Sequence, residues 1–218
     1  MRKFAIIPFL TLALACSSSS YDATTSQPQP AMSSAMPAMG QRAMLNEAMR
    51  KLWADHVVWT RLYIISAVNG APDTQAAATR LLANQDQIGQ AIVPYYGAAA
   101  GQKLASLLRD HILIAVDLVK AAKANDQPAF KAADARWHTN AADLATFLSG
   151  ANPNWPRQAV LDMLNNHLAL TTKEAVDRLQ KNYTDDVTNF DAIFNQAMMM
   201  ADTLSSGIEK QFPQKFTM

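Results

Sequence analysis

Between about residues 42 and 212 the inward positions of this chain recur three and four apart. Val160, Met163, Leu164, His167, Leu170, Thr171 and Glu174, for example, share one face of a helix. No strand-like alternation of useful length interrupts the pattern, which predicts an all-α fold, an up-and-down bundle of five to six helices. Turn and cap residues set the limits. Asn69-Gly70 stops a first helix over 42–68, and Pro72-Asp73 opens a second that Pro94 should end near 93. A third spans 98–124. Asp126 and Pro128 cap and start a fourth, which Gly150 closes after 148. Asn154 and Pro156 begin a fifth that runs to 181, and Thr184, followed by Asp185 and Asp186, caps the last, which ends before Pro213.

Ahead of this region the chain changes character. Arg2 and Lys3 precede an apolar run, 4–15, and then Cys16 and four serines, the layout of an export signal. Leu12-Ala13-Leu14-Ala15-Cys16 resembles the lipobox of bacterial lipoproteins, with Ala13 where Leu is commoner. The expected organisation is a signal peptide over 1–15, a lipidated tether over 16–41 and a bundle domain over 42–218. Cys16 is the lipidation site and the anchor to the membrane. Ser17, rather than Asp, after the cysteine favours the outer membrane, facing the periplasm, in a Gram-negative host. The alternative is a soluble periplasmic protein. The apolar run is about half of the ~20 residues a spanning helix needs. The tether, rich in Ser, Thr, Gln, Pro, Ala and Met, lacks the apolar content to fold.

Charge narrows the functions. A formal net charge of +1 and the lack of any basic cluster argue against nucleic acid. Cys16 is the chain's single cysteine, so the bundle can use neither disulfide nor thiol chemistry.

Three histidines stand in one kind of setting: Leu52-Trp53-Ala54-Asp55-His56, Leu107-Leu108-Arg109-Asp110-His111 and Met163-Leu164-Asn165-Asn166-His167. Each follows Asp or Asn, has apolar residues three and four before it, and should point inward. At one level of a bundle, three imidazoles could hold Cu, Zn or Fe with a fourth position open. Alternatively each is a core group bonded to a neighbour such as Thr60 or Thr171. No Glu-x-x-His pair of the di-iron type is present. Glu174 shares the face of His167 but lies two turns on, about 10 Å away; it could pair with Arg61, or the two could bind a small ligand. Asp191 is a further carboxylate near a core face, and His138, without the preceding Asp or Asn, is left out of the set. Met36-Pro37-Ala38-Met39 has M-x-x-M spacing suited to Cu(I), although Met also fills cores.

The segments LWADHVVWTRLYIIS, LLRDHILIAVDLVKAAKA, RWHTNAADLATFLSGANPNW, HLALTTKEAV and GIEKQFP together resemble a family of small, uncharacterised bacterial all-helical proteins, over about 50–216. The resemblance implies a helical domain; His56, His111, Asn140, Asp143, His167 and Glu174 match its pattern and His138 departs from it. Some relatives carry a glycosyltransferase label. This chain has no Asp-x-Asp, no nucleotide-binding glycine loop and no parallel-sheet pattern to match that label. Nor is there a Gly-x-Ser-x-Gly elbow, and no catalytic residue is assigned. Two classes remain: an envelope lipoprotein that binds a metal or small ligand at the inward histidines, and a structural or interaction lipoprotein whose histidines only satisfy hydrogen bonds.

Overall fold

The computed structural model describes residues 38–216. Cys16, the signal and most of the expected tether, with Met32 and Met36, lie outside them. Six helices follow in order: α1 (Ala38–Asn69), α2 (Thr74–Tyr96), α3 (Ala98–Lys123), α4 (Gln127–Ala151), α5 (Arg157–Leu179) and α6 (Tyr183–Gln211), with a 3-10 turn over Pro213–Phe216. Among the described residues there is no strand, and no helix is long and apolar enough to cross a membrane.

Most boundaries fall within three residues of expectation, and the departures have local causes. α1 starts at Ala38, inside the stretch read as tether. α2 continues through Pro94 to Tyr96 because the proline falls in the last turn, where losing one N–H donor costs little. α4 passes through Gly150 to Ala151. Asp126 does cap α4, accepting from the Ala129 amide at 3.0 Å, whereas Asp73 bonds Ser66 instead of capping α2. Asn182, not Thr184, stands at the N-cap of α6, and its side chain makes no cap bond.

Each helix packs on the next, and α6 returns to α1, so the bundle closes on itself as three hairpins. The odd-numbered helices also touch one another and therefore line the interior. The α2–α3 connection is the single residue Gly97, at φ 83, a backbone that favours glycine. Past it the two helices meet backbone to backbone: a Cβ on Gly89 would lie 2.5 Å from the Gly101 carbonyl oxygen. Gly89→Ala should therefore destabilise the domain by about 1–3 kcal/mol, since two helices must separate to admit one methyl. Urea unfolding checks this, and an unchanged midpoint would contradict it.

Apolar packing forms two bodies. The larger gathers Met49, Trp53, Leu108, Leu144, Leu164, Met200 and Ile208, and the smaller gathers Tyr63, Ile64, Ala77, Val119 and Ala175. On the odd helices Met49, Trp53, Leu108 and Leu164 of the first precede the histidines, and the residues of the second follow them. The histidines form the polar layer between.

Candidate functional site

His56, His111 and His167 are all buried and stand together at the centre of the bundle. The rings of His56 and His167 are 5.7 Å apart and those of His111 and His167 6.5 Å. Helical spacing places them there, because each lies on the inward stripe of an odd helix, three residues after Trp53, Leu108 or Leu164. Trp53 meets His56 edge-on at 5.5 Å, and Trp137 tilts against His111 at 5.1 Å.

The threonines do not hold them. Thr60 bonds the backbone oxygen of His56, and the Thr171 hydroxyl has no partner. Instead, every ring is tied at Nδ1 to an amide side chain 29 residues further on, on the other helix of its hairpin: Gln85 at 3.2 Å, Asn140 at 2.8 Å and Gln196 at 3.2 Å. A second regularity accompanies this. Asn84, Asn140 and Gln196 each donate, at 3.0 Å, to the carbonyl four residues before the histidine, on Leu52, Leu107 and Met163. The three hairpins thus repeat one device, with histidines at 55- and 56-residue intervals. The intervals were visible in the chain, but only the hairpin contacts give them meaning. Of the amides, only Asn140 had been singled out, and only through the family pattern.

Burial forces all three rings neutral. It lowers the His111 pKa to about 3 and that of His167 to about 4. His56 is pushed well below the ordinary value, by burial first and then by the two neighbouring rings, with Gln85 opposing. Among the described residues no hydrogen bond uses any of the three Nε2 atoms. Beside the layer lies a cavity of about 20 Å³, lined by the three histidines, Thr60, Ile64, Ala115, Thr171 and Ala175. It admits one water or one ion; an organic ligand needs roughly 300 Å³ or more. A second cavity of about 30 Å³, on the other side of the layer, is lined entirely by nonpolar residues and Trp53 and Trp155.

The expected three-ligand convergence is not assembled. Among the described residues, no group of three or more His, Cys, Asp or Glu brings its donor atoms together as an ion would require.

Arg61 and Glu174 pair with each other, at 2.6 Å, and do not line the histidine cavity. Arg61 also grips Asp186 with both guanidinium nitrogens, at 2.8 and 2.9 Å, and Arg178 reaches Asp186 at 3.2 Å. In the sequence Asp186 stands only as a helix-start acid. Burial raises the Glu174 carboxyl to about 7, while Arg61 pulls it down. This cluster joins α1, α5 and α6, and both of its carboxylates are held by guanidinium groups. Asp191 is exposed, and His138 bonds Asn165 at the surface. Of the α6 methionines, Met200 is buried and Met199 exposed, as expected of three successive residues on a helix.

No family model, no curated protein and no solved structure matches this chain.

Proposed function

We propose that this protein is an envelope lipoprotein, anchored through Cys16, whose bundle holds a single transition-metal ion in its central histidine layer. The observation that carries the reading is the state of the three rings. They are neutral, fixed at Nδ1 by amide partners, and have no bond at Nε2 beside a cavity of about 20 Å³. A ligating imidazole needs a free lone pair and a partner on its other nitrogen that sets the ring's orientation. Neutral rings also spare the ion any competition with protons near pH 7. The cavity size favours an ion over an organic ligand. The two ring separations from His167, 5.7 and 6.5 Å, exceed the roughly 5 Å of rings sharing one ion by about 0.7 and 1.5 Å.

The test is elemental analysis of the full chain after dialysis against Cu, Zn, Fe and Mn in turn, beside a His56/His111/His167 triple alanine variant. One ion per chain in the wild type, absent from a variant that keeps its helicity, is the expected result. Equal metal in both, or none in either, would leave the histidines as satisfied core groups of an interaction protein.

The anchor is tested separately. Cys16→Ala should move the protein from the membrane fraction to the soluble envelope fraction, because a bundle without acyl chains has lost the roughly 0.8 kcal/mol per buried methylene that holds it. Retention in the membrane would overturn this part.

A further inference from the structure

The three hairpins repeat one another except at a single amide, and that exception bears on which ion the layer takes. We infer that the ion is monovalent and soft, of the Cu(I) class, held in line between the Nε2 atoms of His111 and His167, with Gln85 keeping His56 out of the coordination. This rests on the reading above that the layer binds a metal.

The hydrogen bonds fix where each ring carries its proton. Asn140 donates its amide N–H to the Leu107 carbonyl, so its oxygen faces His111, 2.8 Å from Nδ1. Gln196 donates to the Met163 carbonyl, and its oxygen faces His167 Nδ1. In both rings Nδ1 therefore bears the proton and Nε2 the lone pair. Nδ1 is bonded to the partner helix, which leaves Nε2 on the side of the ring away from it.

The first hairpin divides the task between two residues. Asn84 takes the Leu52 carbonyl, and Gln85 turns its nitrogen to His56 Nδ1 at 3.2 Å. That nitrogen also donates to the Leu81 carbonyl at 2.8 Å and the Asn84 side-chain oxygen at 3.2 Å. Reversing the amide would set oxygen against two oxygens. An amide nitrogen cannot accept, so a proton on His56 Nδ1 would find no acceptor there; it sits on Nε2 instead, which removes that atom as a ligand. The Gln85 oxygen is left buried without a partner, a cost the other two hairpins do not carry.

Two available lone pairs suit a linear ion. Metal–nitrogen bonds of about 2.0 Å on opposite sides of one ion put the ring centres about 6.2 Å apart, whereas rings sharing a tetrahedral ion stand nearer 5 Å. His111 and His167 are 6.5 Å apart, with their planes inclined at 26°. Charge points the same way. The ligands are neutral, and the Glu174 carboxylate is bound to Arg61. An ion here keeps its own charge in an apolar interior, and that penalty grows as the square of the charge, so a divalent ion meets about four times the cost of a monovalent one. Zn²⁺ would also seek four ligands, for which a cavity of about 20 Å³ has no room.

The experiment uses the full chain with Cys16→Ser, to remove the competing thiol. It is loaded anaerobically with Cu(I) as its acetonitrile complex and, separately, with Zn²⁺, and X-ray absorption reads the copper shell. The expected result is one Cu(I) with two nitrogen neighbours. Binding should weaken by about 100-fold or more in His111→Leu or His167→Leu, which lose a ligand rather than its support. The wild-type spectrum alone decides the coordination if a variant fails to fold. A three-nitrogen shell or preference for Zn²⁺ would overturn this inference while the metal reading stands. Neither ion bound above the level of the His111/His167 double variant would end both.

Discussion

Acidification from pH 6.5 to 4.5 should cost the domain on the order of 5 kcal/mol of stability and bring it to unfolding. The three layer histidines have folded pKa values depressed below the ordinary 6.5, to about 3 for His111, about 4 for His167 and well below for His56. Their contribution is complete above 6.5 and is lost as the pH falls toward the folded values, because the unfolded chain takes up three protons that the native chain refuses. Glu174 works in the opposite direction. Its folded pKa is raised to about 7 from 4.5, so its contribution is complete below 4.5 and is lost as the pH rises through about 7. Within the window the unfolded state therefore binds about two more protons than the native state, a slope of roughly 2.7 kcal/mol per pH unit. Spread over two units, that approaches the whole stability of an ordinary domain. Urea unfolding at half-unit steps from pH 7.5 to 4.5 measures the slope. A flat profile would mean that the rings are not held neutral, and the candidate site would go with them.

A histidine layer that is costly in acid survives because each ring's nitrogen is bonded across a hairpin, and that arrangement explains what the chain revealed and what it hid. Helix periodicity and cap residues gave the six helices, since an inward stripe and a terminal Gly, Asn or Pro are local properties. The inward direction of His56, His111 and His167 was legible for the same reason: Trp53, Leu108 and Leu164 one turn earlier mark the stripe. Their partners were not. Gln85, Asn140 and Gln196 belong to the opposing helices, and an amide on a helix looks the same whether it meets solvent or a ring 29 residues back. The Arg61–Glu174 contact was foreseen as one option. Asp186 was missed because an acid in the first turn of a helix already has an adequate local explanation. The histidine positions also suggested three equivalent ligands; the split duty of Asn84 and Gln85 breaks that equivalence through one hydrogen-bond direction, which no spacing encodes.

The repeat also predicts how the charged cluster can be dismantled. Arg61 stands five residues after His56, where the second hairpin has Val116 after His111; Glu174 stands seven after His167, where the other hairpins have Tyr63 and Leu118. Arg61→Val alone should destabilise the domain by about 3–5 kcal/mol at pH 8, because it strands the buried carboxylates of Glu174 and Asp186 with Arg178 alone. The loss should shrink as the pH falls toward about 7, because Glu174, raised to about 7 even with Arg61 pulling it down, takes up a proton more readily once that cation is gone. Adding Glu174→Leu places at these two positions the pair the second hairpin already packs, Val and Leu, and leaves Asp186 to Arg178. The double variant should therefore regain at least half of the loss, as buried ion pairs often do when replaced by apolar residues of similar volume. Urea unfolding of the wild type, both single variants and the double variant measures the coupling. A cost under about 1 kcal/mol for Arg61→Val would show that the cluster is solvated rather than buried. A double variant no better than the single would place the loss in the Arg61–Phe190 stacking and the Asp186 contacts instead of the Glu174 charge.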